Sequence, residues 1–201
     1  MSDIWCIISH KEKVEDIKLK KKEIREKIIR RLREQEPSLR KEKSRTIQEK
    51  LLSSEEFRLA QTVMTYVAMP AEVDTLYFIE EALRLGKKLV APYVISDTGD
   101  MIASELTTID DLKEGPFGIL EPENGPERKI SLKEIDLIVV PGVAFDKKNM
   151  RLGRGKGYYD RFLSCSQLAS VPAVGLAFDF QMVDSLPAGP HDRPVSRVIT
   201  G

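Results

Sequence analysis

The chain has 201 residues, enough for one compact domain with a sizeable core, and its 41% hydrophobic and 32% charged residues describe a globular protein. Lys and Arg balance Asp and Glu at 32 each, with a surplus of five positive charges in the first 60 residues and of five negative charges in the rest. That bias is too small for nucleic-acid binding, especially with only Trp5 and Phe57 to stack on bases there; no apolar run approaches the ~20 residues of a membrane span, and Met1 to Ile8 lacks the positive start of a signal peptide.

In chain order, Ile17, Lys21, Ile24, Ile28 and Leu32 recur at three- and four-residue steps and predict an amphipathic helix from Val14 to Gln35 with a cationic outer face. Pro37-Ser38 breaks it. A second helix to about Leu52, with Leu39, Ile47 and Leu51 inward, completes an N-terminal helical hairpin. Thr62 to Ala68 has strand composition, and Asp74 or Thr75 can cap a helix that ends at Gly86. Strands follow at Leu89 to Val94 and Met101 to Leu106, then a turn or short helix at Asp110 to Glu114. Asp136 to Val140 is apolar enough for a strand covered on both faces. A helix over 157–168, a strand from Val171 to Phe178, a helical turn near Gln181 and a strand from Val195 to Thr200 close the chain. Alternation of this kind predicts an α/β fold in three layers, a mainly parallel sheet flanked by helices, formed by residues 1–201 as a single domain.

Cys6 and Cys165 have no metal-like spacing and cannot build a disulfide framework, which fits a reducing cytoplasm. Neither histidine, His10 or His191, pairs with a cysteine in a nucleophile motif. The strongest chemical signal is the decapeptide Arg151-Leu152-Gly153-Arg154-Gly155-Lys156-Gly157-Tyr158-Tyr159-Asp160. Glycines let backbone N–H groups crowd round an anion, and Arg154 and Lys156 add charge at the same place, so phosphate is the natural guest. A helix starting near Gly157 would favour the same anion through its dipole. A Walker loop is excluded because Gly157 stands where Ser or Thr must follow the Lys, and a dinucleotide fingerprint because Tyr158 stands where glycine is required. On glycine and charge content alone, a basic surface turn is the other reading. The decapeptide follows one strand and Glu72 follows another, which sets both beyond carboxyl ends, where ligands of such sheets gather.

This decapeptide resembles the signature of the 5-formyltetrahydrofolate cyclo-ligase family. Lys21-Lys22-Glu23-Ile24-Arg25 resembles the family's N-terminal Lys-x-x-x-Arg element, and Met69-Pro70-Ala71-Glu72-Val73-Asp74-Thr75 its substrate-side segment. Phe117-Gly118-Ile119 with Glu121-Pro122, Val140-Pro141-Gly142-Val143-Ala144-Phe145-Asp146, and Leu186-Pro187 with His191-Asp192 complete six ordered blocks. Two departures stand out. Lys147-Lys148-Asn149-Met150 occupies a turn where the family usually has glycine, with Asn149 able to take a positive φ, and Met1 to Leu19 is an extension without a counterpart.

The resemblance implies ATP-dependent closure of 5-formyltetrahydrofolate to 5,10-methenyltetrahydrofolate by a cytoplasmic monomer, with the folate, polyglutamylated or not, as small-molecule partner and neither nucleic acid nor membrane involved. It implies that ATP is held by Lys21, Lys22, Glu23, Ile24 and Arg25 and by Arg151, Leu152, Gly153, Arg154, Gly155, Lys156, Gly157, Tyr158 and Tyr159. Mg²⁺ would sit on Asp160 and Asp192. The folate would meet Val67, Glu72, Phe117, Tyr158 and the stretch Arg154 to Gly157, with Arg154 and Lys156 stabilising the transferring phosphoryl group. Without the resemblance, Lys21 and Arg25 read as a solvated helix face and Val67 as core.

Overall fold

A computed structural model describes residues 2–95, 97–115, 118 and 120–201, and for residues 2–13 the backbone alone. Helix α1 (Ser2–Glu34) starts well before the predicted Val14 and buries Ile28 and Leu32. Helix α2 (Pro37–Leu52) buries Ser44, Ile47, Gln48 and Leu51 on one stripe. Leu39, expected inward, is 48% exposed, because eight residues of helix carry it about 80° off the line through Ile47. A short α3 (Glu55–Leu59), absent from the sequence reading, is capped by the Ser54 hydroxyl, which accepts from Phe57 N.

The remaining elements are β1 (Thr62–Thr65), α4 (Leu76–Arg84), β2 (Lys88–Val94), β3 (Met101–Leu106), β4 (Leu112–Glu114), β5 (Leu120–Pro122), β6 (Leu137–Val140), β7 (Ala144–Asp146), β8 (Arg151–Leu152), α5 (Tyr158–Leu163), β9 (Ala173–Ala177), β10 (Met182–Val183) and β11 (Arg197–Thr200). Several of these are shorter than predicted. Helix α5 stops at Leu163 and resumes as a 3-10 turn at Ser166–Leu168, and β1 ends at Thr65, where the chain turns into a loop.

The main sheet has the order β11-β9-β6-β1-β2-β3, parallel throughout except for β3, which pairs antiparallel with β2 at one edge. Alternate residues serve opposite faces. Val63, Leu137, Val139, Val174 and Leu176 join the core under α1 to α4, whereas Met64, Ile138, Val140 and Ala173 join the core that contains Phe162 of α5 and Leu168. The sheet is thus the middle of three layers, as expected, and burial on both faces explains why its central strands are continuous apolar runs.

Helix α4 shows how the layers are tied. Its first N–H groups need partners. Asp74 accepts from Leu76 N at 2.8 Å, while the Gln48 side-chain oxygen, buried on α2, accepts from Phe78 N at 2.8 Å. Thr75, the other predicted cap, instead donates its hydroxyl to Tyr66 O at 2.8 Å.

From β1 the chain proceeds to β2 on one side, and from β6 through β9 to β11 on the other. The carboxyl ends of β1 and β6 therefore flank the topological switch point, where open α/β sheets form their ligand crevice. Beyond β6 comes a second small sheet of order β10-β7-β8. Its β7–β8 turn is the predicted Lys147 to Met150 turn, with Asn149 at φ +60°. Buried Asp146 organises it, accepting from Lys148 N and Met150 N and, across to another segment, from Leu186 N, each at 2.9 Å. The Phe145 ring anchors this sheet to the main one: a Cβ on Gly175 of β9 would lie 2.6 Å from it, and one on Gly142 2.5 Å. We expect Gly175→Ala to lower unfolding free energy by about 1–3 kcal/mol through overpacking, measured by urea denaturation, with Phe145→Leu in the same chain restoring part of the loss.

Candidate active site

Two loops meet at the switch point. The first runs from Tyr66 to Thr75 after β1 and is closed on itself. The Tyr66 hydroxyl donates to Val73 O at 2.9 Å, and Glu72 N donates to Met69 O at 3.1 Å. Ala71 sits at φ +74°, a conformation an alanine adopts only under constraint, and the turn it makes brings the Glu72 carboxylate back to accept from Met69 N at 3.1 Å. Glu72 ends nearly buried.

The second loop is Gly153 to Gly157. Gly155 lies at φ +106°, open to glycine and hardly to any other residue, and Gly157 at φ +69° leads into α5. Arg154 reaches across to the first loop, its Nε and Nη2 both 3.0 Å from Glu72 Oε1. Two segments 82 residues apart are thereby joined by one ion pair.

Helix α1 supplies the third wall. Lys21 and Arg25, one turn apart, face the glycine loop and the C-terminal segment. Lys21 Nζ lies 2.7 and 2.5 Å from the two carboxylate oxygens of Asp192, and Arg25 Nε donates to Gly153 O at 2.8 Å. Arg151, buried on β8, pairs with Asp160 Oδ1 at 2.9 Å and lies 5.6 Å from the centre of the Tyr159 ring. Asp160 Oδ1 also accepts from Arg193 N. Of the site's cations Lys21, Arg25, Arg151, Arg154 and Lys156, Lys156 is the one whose side chain has no hydrogen-bond or ion-pair partner among the described residues.

Burial sets the electrostatics. It raises the Glu72 carboxyl above its ordinary range, with Arg154 and the Met69 amide pulling the other way. It lowers the Arg25 guanidinium, against the attraction of Asp192 and Asp160. The phenols of Tyr66 and Tyr159 are pushed up for the same reason, and Tyr159 Oη is buried with no partner among the described residues.

The other expected site residues fall in different places. Val67 and Leu152 are buried in the core beneath α1 to α4 and can act on a ligand only as walls. Lys22 points to solvent beside Glu26. Glu23 and Ile24 line a groove of about 400 Å³ together with Lys20 and Ser185 to Pro187. Tyr158 packs its ring against the Arg161 guanidinium, 5.3 Å from the ring centre. Phe117 lies outside the described residues. Arg161 itself was not legible in the sequence: it donates to Lys156 O at 3.0 Å and to Gly99 O at 3.2 Å, a partner 62 residues away that no local pattern announces.

The site joins a glycine loop, five cations and three carboxylates, Glu72, Asp160 and Asp192, and the chain that carries it has relatives. The pattern that describes the 5-formyltetrahydrofolate cyclo-ligase family matches residues 17–201. The chain belongs to that family. It is 30% identical over 187 residues to the mouse 5-formyltetrahydrofolate cyclo-ligase, covering 89% of this chain and 92% of that one. It is 29% identical over 214 residues to the mitochondrial cyclo-ligase of Arabidopsis thaliana, covering 95% and 77%. The solved Aquifex aeolicus 5,10-methenyltetrahydrofolate synthetase superposes with a TM-score of 0.78 at 33% identity, over 90% of this chain and 89% of that one. This chain is accordingly an enzyme of the cyclo-ligase family. Residues 1–16 precede the matched region, yet α1 runs from Ser2 into that region without a break. Among the described residues no helix is long and apolar enough to cross a membrane, and no cluster of three or more His, Cys, Asp or Glu could by itself hold a metal ion.

Because the Glu72 carboxyl titrates above its unfolded value, ionising it in the folded state is a penalty that is absent in acid and fully present once pH has risen through the folded pKa. We expect Glu72→Gln to raise the melting temperature relative to the unsubstituted protein at neutral pH, with the gap closing as pH falls into the carboxylate range. Melting curves at several pH values check this; a constant gap would assign the effect to packing.

Proposed function

We propose that the enzyme converts 5-formyltetrahydrofolate to 5,10-methenyltetrahydrofolate with ATP as co-substrate, releasing ADP and phosphate. The observation that carries this is the Glu72–Arg154 pair: a loop suited to a pterin and a loop suited to phosphates share one rim. The N-formyl group is an amide, unreactive at carbon and with a very poor leaving group in its oxygen. Transfer of the γ-phosphoryl group to that oxygen remedies both. N10 then attacks the formyl carbon, the C–O bond breaks with phosphate leaving, and the N10 proton is lost.

Positioning and charge neutralisation are what such a transfer asks of a protein. In this reading the N–H groups of Gly153 to Gly157 hold the phosphates with Lys21, Arg25 and Arg151, and the groove beside Ile24 and Pro187 accepts the nucleoside. Glu72 accepts hydrogen bonds from the pterin, and Tyr158 offers a flat face to a ring of the folate. Arg154 and Lys156 face the transferring group. Lys156, whose side chain has no partner among the described residues, needs no rearrangement of one to do so.

Asp160 and Asp192 fit Mg²⁺ in the form it usually takes in nucleotide sites, one or two carboxylates completed by phosphate oxygens and water. Both are neutralised here by Arg151 and Lys21, cations that the phosphates would attract away, and both act electrostatically on Arg25. The ion would neutralise charge on the phosphates. The proposed setting is a monomer in the cytoplasm, with polyglutamylated folates also accepted.

Lys156→Ala should reduce turnover by about 100-fold or more, in the range found on removing one electrostatic donor from a transition state. The assay follows the near-ultraviolet absorbance of methenyltetrahydrofolate at saturating ATP, with ATP omitted as control. Unchanged turnover would remove Lys156 from the mechanism.

A further inference from the structure

Glu72 and Arg154 serve different substrates in the proposed function, yet in the structure they are bound to each other. Both Nε and Nη2 of Arg154 converge on Oε1 of Glu72, while Oε2 accepts from Met69 N. The two partners are unequal in burial: the arginine side chain is 39% exposed and the carboxylate side chain 10%. A guanidinium so placed can swing into solvent at small cost. A buried carboxylate stripped of its donors cannot be left alone without a large desolvation penalty.

We infer that Glu72 is also a positioning residue for Arg154, keeping the guanidinium off the phosphates until the N–H edge of a pterin takes its place, so that folate and nucleotide bind synergistically. The inference rests on the proposed function. The chemical basis is the similarity of the two donors. A pterin's 2-amino group and adjacent ring N–H form a planar pair of donors like those a guanidinium presents to a carboxylate. The exchange keeps Glu72 hydrogen-bonded while releasing one positive charge one residue away from Gly155. That charge is gained by the nucleotide only when the folate is present, and linkage requires the folate to gain the same factor from the nucleotide.

The two other ion pairs of the site lack this property. Lys21 and Asp192 are equally shielded, at 15% and 16% side-chain exposure, and Arg151 is more deeply buried than Asp160. In neither pair is an exposed cation held by a buried anion on the folate-side loop.

Calorimetry on the whole protein tests this. The dissociation constant of adenylyl imidodiphosphate, which has ATP's charge but cannot transfer its γ-phosphoryl group, is measured with Mg²⁺ in the absence and presence of saturating 5-formyltetrahydrofolate. We expect about a tenfold tightening, within the ~5–150-fold span of typical couplings, and the same factor when the folate is titrated against the analogue. Glu72→Gln, which frees Arg154 from its ion pair, should bind the analogue alone more tightly than the unsubstituted protein does and show little further gain from folate. A merely structural loss at position 72 would weaken analogue binding, and that result overturns the inference. So does an analogue affinity indifferent to folate in the unsubstituted protein, which would leave the proposed function standing. If neither ligand binds, the proposed function falls and the inference with it.

Discussion

A charge taken out of water must find a partner, and in this protein that requirement dictates the shape of the ligand rim. Glu72, Arg151 and Asp146 are all largely withdrawn from solvent, and each is paired with a group from a different segment. Glu72 draws the glycine loop toward the end of β1. Arg151 holds the start of α5 through Asp160, and Asp146 ties the β7–β8 turn to the stretch after β10. Apolar packing alone would have left these loops free to slide over one another, since it has no directional preference.

The sheet positions these charges. Strands β1 and β6 are neighbours whose outgoing connections run in opposite directions, which opens a crevice between their ends. The Phe145 ring, seated against Gly142 and Gly175, locks the small β10-β7-β8 sheet against the main one, so the base from which the glycine loop departs is packed into the core. Such a support would suit the proposed phosphoryl transfer, in which small misplacements of charge are expensive.

How much of this could be read from the residues depended on range. The strands at Leu89 to Val94 and Met101 to Leu106 were legible because apolar and β-branched composition is a local property, as was the glycine loop, because its glycines stand within ten residues. Asn149 was read correctly from its own tolerance of positive φ. Leu39 was misplaced because the stripe on α2 is chosen by where the sheet lies, and Ser44 and Gln48, polar residues, form half of that stripe by bonding to Asp74 N and Phe78 N. Tyr66 and Arg161 went unnoticed for a related reason. One looks like an ordinary strand residue and the other like an ordinary helix charge, and each acquires a role only through a carbonyl that the fold delivers. The mutual pairing of Glu72 and Arg154 is of the same kind, since both residues were legible and their contact was not.

Arg25 and Arg161 together have an effect on the glycine loop that neither the glycines nor the loop's own cations could produce. Every peptide unit in a tight turn carries an electronegative oxygen as well as an N–H, and a ring of such oxygens would repel an anion as strongly as the amides attract it. Arg25 masks the carbonyl of Gly153 at one end of the loop, and Arg161 masks that of Lys156 at the other. With these two acceptors occupied, the oxygens at both ends of the loop are turned to inner partners, a polarity imposed from outside by two guanidinium groups on two different helices.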